Sequence, residues 1–405
     1  MAWVVGLNSG SSLDSIDGVL IDMDFDPEGW PRLKGVEATA EIPWPEQVHN
    51  DIVRAINLDM RIDELCRLNF VAGAVFSKAV NAVLHKASIP ASEVAVIGVD
   101  GQTIYQEPPL REKWVGTEFR NAVEAFRDGR LGCTLQIGDG AVISALTGIP
   151  TISQFRPADI AVGGTGAPIE QLLDYFHYRH ITPVVTLNIG GIANIHAVHA
   201  DQNKMMAFDT GPGNILMDRL AQTKFGLPYD KNGTIAATGH VNSSVLDFLM
   251  SHPFLRRDPP RSAWREDFSL KYLQMILDKF PAVEPRDMMA TMAEFTVQAI
   301  LQSLHRVPFL DEVSFLIGNG GGVYNDVAIN SLKQKIPQHI HFVLSDQFGI
   351  PAKSNEAVKF ATLGFATIHH LSGNIPHASG ATRFAVLGRV HYPPYSTDFE
   401  LDVTQ

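Results

Sequence analysis

The chain reads as an α/β protein built twice on one pattern, and three observations carry that reading. Apolar runs of strand length alternate with longer segments of helical period, as layered α/β domains require. "VVGLNSG" at Val4 to Gly10 is echoed by "VVTLNIG" at Val184 to Gly190, where the second of two duplicated halves would begin. At 405 residues the chain is longer than one core ordinarily holds, so two domains are expected.

The elements follow in order. Residues 3–24 read as strand, Gly/Ser turn, strand, and "LKGVEATAEI" supplies a third strand after the turn at "DPEGW". Leu65, Leu68, Ala72, Val75, Phe76, Ala79 and Val83 recur at helical period. "VAVIGVD" (94–100) is a buried strand expected to end in the turn "GQT". The Pro-, Arg- and Gly-rich stretch 105–133 reads as an insertion or lid-like loop. The second half repeats strand, glycine turn, strand in "VVTLNIGGIANIHAV". Helices are then expected near 214–224, 242–250, 267–280 and 285–306. "EVSFLIG" is a strand leading into "NGGGVYND" and another helix, "HIHFVLSD" is a further strand, and "SNEAVKFATLGFATIHHL" is a final long helix.

The bulk numbers narrow the function. A net charge of -12 without a long basic run argues against nonspecific nucleic-acid binding, which needs clustered Lys and Arg. The two cysteines, Cys66 and Cys133, lack ligand-like spacing, which argues against a disulfide framework or a structural zinc site. "MAWVVGLNSG" reads as a first strand rather than a signal peptide. No stretch approaches the roughly 18 consecutive apolar residues of a membrane span. A cytoplasmic protein with neither membrane nor nucleic-acid partners is expected.

Glycine turns follow apolar strands at "NSGSS" (8–12), "NIGG" (188–191), "DTGPGN" (209–214) and "GNGGG" (318–322). Such turns let backbone N–H groups converge on an anion, and tight-turn geometry alone explains each singly. Together they point to a phosphate site. GxxxxGK[ST], the HRD and DFG pair and a complete GxGxxG are all absent. What remains is a duplicated α/β ATPase of the actin and sugar-kinase type, with two ribonuclease H-like domains and ATP in the cleft between them. The expected boundaries are 1–133 with 357–405 for the first domain and 134–356 for the second.

The order of motifs supports a family. "GLNSGSSLDSID", "DGQT", "TLQIGD", "FRPADIAVGGTGAP", "NIGGIANI", "FDTGPGN", "YDKNG" and "NEAVKFA" run from Gly6 to about Leu387. In that order they resemble the anhydro-N-acetylmuramic acid kinase family and its levoglucosan-phosphorylating relatives. The resemblance implies ATP-dependent phosphorylation of O6 of a 1,6-anhydrosugar while water opens the ring at C1, giving N-acetylmuramic acid 6-phosphate from the muramic substrate. It implies Asp209 as the base that activates the water, with N-capping of the following helix as the alternative reading. Asp14 and Glu356 match acidic positions of the metal and sugar site and suit Mg²⁺; for Glu356 the alternative is a solvated acid in a first helical turn. ATP would be held by Gly10, Ser11, Ser12, Leu13, Asp14, Ser15, Ile16 and Asp17, by Gly190, Gly191, Gly211, Gly213 and Asn214, and by Asn319, Gly320, Gly321 and Gly322. Arg156, Gly166, Asp209 and Glu356 would face the sugar. The resemblance also implies a homodimer.

The family pattern is departed from at four places. Ser11-Ser12 stands for Thr-Ser, Ser15 for glycine, Val99-Asp100 for Ser-His before "GQT", and "RSAWRE" for Lys-Ser-Thr-Gly-Arg-Glu, with Ala263 and Trp264 replacing Thr-Gly. A carboxylate for an imidazole and an indole for a glycine change charge and space on the substrate side. Alternatives to the muramic substrate are therefore levoglucosan, or a catalytically silent sugar or nucleotide sensor.

Overall fold

A computed structural model describes residues 2–10, 13, 15–110, 121–263 and 267–394. The strands β1 (Ala2–Ser9), β2 (Ser15–Phe25) and β3 (Pro31–Pro43) are followed by the helices α1 (Glu46–Ile56) and α2 (Ile62–Ala87). Next come β4 (Val94–Glu107), α3 (Ala122–Arg127), β5 (Cys133–Ile137), α4 (Gly140–Thr147), β6 (Thr151–Ser153), α5 (Arg156–Ala161) and α6 (Gln171–Tyr178). The second half opens with β7 (Val184–Ile189), β8 (Ile192–Val198) and β9 (Met206–Pro212). The helices α7 (Ile215–Leu220), α8 (Ser243–Met250), α9 (Leu270–Lys279) and α10 (Pro285–Leu304) follow. The chain ends with β10 (Phe315–Asn319), α11 (Asp326–Lys335), β11 (His341–Leu344), α12 (Asn355–Ile368), α13 (Pro376–Ser379) and β12 (Arg389–His391).

The duplication expected from the sequence is present in the sheets. In one, β3-β2-β1-β4-β6 lie side by side, with β1 antiparallel to β2 and parallel to β4. In the other, β9-β8-β7-β10-β11 repeat that order and those directions. The echoed heptads "VVGLNSG" and "VVTLNIG" occupy the matching central strands β1 and β7. A buried central strand reads as a continuous apolar run, which is why these two were visible in the sequence.

The structure moves three expected boundaries. The backbone does not turn away at "GQT": β4 runs on to Glu107, because β5 pairs antiparallel with it from Gln102 to Glu107. Gly101, at φ 88°, makes the bend, and a Cβ there would lie 2.5 Å from the Ile137 carbonyl. The stretch 105–133 accordingly holds the end of β4 and α3, while 111–120 lie outside the described residues. The chain divides into Met1–His177 with Gly349–Gln405, and Tyr178–Phe348. Residues 134–177 join the first unit rather than the second because β5 and β6 both pair with β4.

In the first unit α2 covers one face of the sheet, burying Leu68, Ala72, Val75, Phe76, Ala79 and Val83 with Val5, Leu7, Ile16 and Leu20. By length and composition α2 can cross a membrane; here just over half of its most apolar window (56%) is buried within the protein. Against β1 and β4, α12 packs at backbone contact, since a Cβ at Gly6 would lie 2.0 Å from the Ala357 carbonyl and one at Gly98 2.0 Å from that of Phe360. The second unit has its own core, built from α7, α8, α9 and α10 around Leu216, Leu249, Phe268, Leu273, Met292 and Phe295. Short polar side chains start these helices: Asn242, Ser269 and Asn325 each accept a backbone N–H of the first turn of α8, α9 and α11.

Candidate active site

Two groups of polar residues gather at strand ends, one in each unit. The first forms where β1 and β4 finish beside the start of α12. The Asn8 amide donates to Glu356 Oε2 at 3.0 Å, and the Ser9 hydroxyl donates to Gln102 Oε1 at 2.6 Å while accepting from the Trp44 indole. Asp17 lies opposite Asn8 on β2. Asp100 is 3% exposed and accepts a bidentate pair from Arg156, Nε to Oδ1 at 3.0 Å and Nη2 to Oδ2 at 2.6 Å. Burial works against the charged guanidinium of Arg156, and the Asp100 carboxylate outweighs it, so the group is held more firmly protonated than usual, with Glu170 and Glu356 adding. Burial also pushes the Glu356 carboxyl up to about 7, with Glu170 acting in the same direction and Lys359 opposing. Lys359, one helical turn on, is buried and paired with Asp174 at 3.0 Å.

The loop "GGTGAP" is built around Asp159, a buried acid the sequence reading passed over. Its side chain accepts from Gly166 N, Asn374 Nδ2 and Ser379 Oγ at 2.8–3.0 Å. Gly166 sits at φ 67°, so the loop shape requires a residue without Cβ strain there. Glu170 follows this loop, 9% exposed, and its charge acts on both Arg156 and Glu356. It too was missed; only its place just after the loop could have drawn notice.

The second group surrounds Asp209. It lies within β9 rather than at a bend, because the strand continues to Pro212. Its N–H donates to the Arg261 carbonyl at 3.0 Å, and its Oδ2 accepts the Ala263 N–H at 2.7 Å. The N-cap of α7 is Asn214, so Asp209 does not cap that helix. Arg261, 4% exposed, holds the segment in place. Its Nε donates to the Asp209 carbonyl, Nη1 to the carbonyls of Phe254, Leu255 and Arg257, and Nη2 to the Thr210 carbonyl and Ser303 Oγ. Burial pulls this guanidinium down to about 10, Arg306 adding and Asp209 opposing. Sequence reading marked "RSAWRE" as a departure but gave Arg261 no role.

The glycine residues of this unit converge, for mixed reasons. Gly213 N donates to the Gly191 carbonyl and Asn214 N to that of Gly190, and a Cβ at Gly213 would lie 2.2 Å from the Gly190 oxygen. These glycines let two backbone segments touch, and those two N–H groups are already used. Gly211, in β9 at φ 153°, belongs to the strand carrying Asp209. At the end of β10, Gly320 sits at φ 82° against Asn188, and Gly322 packs on Ile189. The N–H groups of Gly321 and Gly322 donate to nothing among the described residues, and Gly321 faces open space. Asn319 is 1% exposed, and its side-chain oxygen is buried without a hydrogen-bond partner. Backbone donors without acceptors fit the oxygens of a phosphate-bearing ligand, whereas the orphaned Asn319 oxygen calls for a donor such as a hydroxyl or an amino group.

In the first turn, Ser11, Ser12 and Asp14 lie outside the described residues, as does Trp264. Leu13 N donates to the Gly10 carbonyl, and Leu13 is held at φ 61°, a conformation uncommon outside glycine. Leu13 and Ile16 point into the core, so their backbone alone is available to a ligand. Ser15 causes no conflict, since its hydroxyl donates to Glu41 at 3.0 Å in an extended strand. Among the described residues no three His, Cys, Asp or Glu side chains form a metal cluster. One or two carboxylates, as at Glu356, fit Mg²⁺, which keeps several waters and phosphate oxygens of its own.

The family model described as anhydro-N-acetylmuramic acid kinase matches residues 2–393. A protein of that name from Bacillus cereus (strain B4264) is 33% identical over 99% of this chain and 100% of its own length. Another, from Bacillus thuringiensis subsp. konkukian (strain 97-27), is 35% identical over 97% and 100%. Among solved structures, the activator of the 2-hydroxyisocaproyl-CoA dehydratase from Clostridium difficile with bound ADPNP superposes over 91% of this chain and 96% of its own. It does so at 11% identity and a TM-score of 0.44, too distant to bear on the site.

Proposed function

The chain belongs to the anhydro-N-acetylmuramic acid kinase family, and from that premise we propose that it is an ATP-dependent kinase of 1,6-anhydro-N-acetylmuramic acid. Water adds to C1, the C1–O6 bond breaks, and O6 takes the γ-phosphoryl group of ATP, leaving N-acetylmuramic acid 6-phosphate and ADP. The observation that carries the reading is Asp209, a 9% exposed carboxyl within β9, oriented by the Ala263 N–H and by a strand that Arg261 holds. Asp209 is the base that takes the proton of the attacking water. A carboxylate fixed by a backbone donor needs little reorganisation to do so.

For ATP we assign Asn319, Gly320, Gly321 and Gly322, with Gly190, Gly191, Gly211, Gly213 and Asn214, in the second unit, and the first turn from Gly10 to Asp17 in the first. Arg156, Gly166 and Glu356 form the sugar side. Glu356, with Asp14, would hold Mg²⁺, which supplies positive charge against the phosphate oxygens. A homodimer acting in the cytoplasm completes the proposal, on the strength of the family alone.

The test is ADP release with ATP, Mg²⁺ and 1,6-anhydro-N-acetylmuramic acid. Sugar-dependent turnover is expected, and Asp209→Asn should lower kcat by roughly 10²- to 10⁴-fold with ATP binding retained. An Asn variant as fast as the parent would remove Asp209 from the mechanism.

A further inference from the structure

Among the described residues of the first unit, the cations of the sugar-facing group are already spoken for. Asp100 takes Nε and Nη2 of Arg156, and Asp174 takes Lys359. Arg156 Nη1 makes no hydrogen bond among the described residues, and the side chain is 14% exposed. The electrostatic neighbours of Arg156 are otherwise acids, Glu170 and Glu356, so positive charge is in deficit around it. A guanidinium opposed by a coplanar carboxylate is still a hydrogen-bond donor, but its net charge toward a third group is largely cancelled.

We propose that Asp100 is a specificity-determining residue: by engaging Arg156 through two hydrogen bonds it fixes the guanidinium plane and cancels its charge. Arg156 then offers its remaining N–H groups to neutral oxygens of the anhydrosugar and gives a carboxylate substituent no preference. Asp100 acts through Arg156 and is a positioning residue, not a catalytic one. The imidazole that the family pattern has at this position would leave the guanidinium charge uncancelled. The inference rests on the anhydrosugar-kinase reading, and on Arg156 facing the sugar within it.

Two sugars separate the outcomes: 1,6-anhydro-N-acetylmuramic acid, and 1,6-anhydro-N-acetylglucosamine, which lacks the lactyl carboxylate. Calorimetric binding and kcat/KM are measured for both with the unaltered protein, Asp100→Asn and Asp100→His. The unaltered protein should bind the two within about threefold of each other. Asp100→Asn should shift the ratio roughly tenfold toward the carboxylate sugar, through KM rather than kcat. A parent protein that already prefers the carboxylate sugar more than tenfold overturns the proposal whether or not the variants fold. Folded variants with an unchanged ratio also overturn it, even if both rates fall together. If the parent binds neither sugar, the kinase reading itself fails and takes this inference with it.

Discussion

At the scale of single residues, the feature with the largest consequence is Arg261, a buried guanidinium that pairs with no carboxylate among the described residues. It satisfies four carbonyls besides that of Asp209 and one hydroxyl. A buried charge is tolerated only when its donors are met, and here backbone carbonyls meet them. Arg261→Lys replaces the planar fork by a point charge that cannot reach all of these acceptors. It should cost roughly 2–4 kcal/mol in urea unfolding and lower turnover together with stability. A variant with an unchanged midpoint would show that these contacts contribute nothing to stability. Nothing in the local sequence around 261 forecasts this, because Asp209 and Thr210 are about fifty positions earlier. The sequence singled out Asp209 as an acid before a glycine-rich turn, while its place inside β9 was not readable there. Asp100 was legible as a departure, while its pairing with Arg156 was not, since one residue lies inside β4 and the other opens a short helix more than fifty positions later.

At the scale of elements, α12 depends on three glycines more than on its own propensity. Gly6 and Gly98 lie on the strands under the helix, and Gly364 on the helix itself comes within 3.0 Å of Gly98 when given a Cβ. Gly98→Ala forces a methyl into the Phe360 carbonyl and should cost about 1–3 kcal/mol or more, read as a shifted denaturation midpoint. Gly35→Ala, on β3 with nothing within 4 Å, is the control and should stay within about 0.5 kcal/mol. Equal effects at both sites would refute the close-approach argument. The helical period of α2 and the apolar runs of β1, β7 and β10 were readable because burial of one face or of both leaves its own pattern. The length of β4 was not, because its last residues are strand only through pairing with β5, a segment some thirty positions later with no apolar run of its own.

At the scale of the molecule, the second unit is one uninterrupted stretch, Tyr178–Phe348, whereas the first is closed by a return of the chain through α12 and β12. The uninterrupted unit carries its own sheet and a core of fully buried Leu, Met and Phe side chains. A fragment of residues 178–348 is therefore expected to fold by itself and melt cooperatively by circular dichroism. A fragment without a cooperative transition would show that its core is insufficient alone. Nothing in hydropathy marks either boundary, because β5 and β6 are too short to announce which sheet they join.

The sequence by itself determined the class, the duplication and the family, for apolar periodicity, a repeated heptad and an ordered set of motifs are properties of the chain read along its length. It also determined that Asp209, Glu356 and the glycine turns are the residues to examine. Only the tertiary structure decided which glycines give room to a backbone and which leave donors open. It alone seated Arg261 behind Asp209, and matched the carboxylate of Asp100 to the guanidinium of Arg156. Those outcomes depend on distances between residues far apart in the chain, and pairing, close approach and charge cancellation exist only once the strands have brought such residues together.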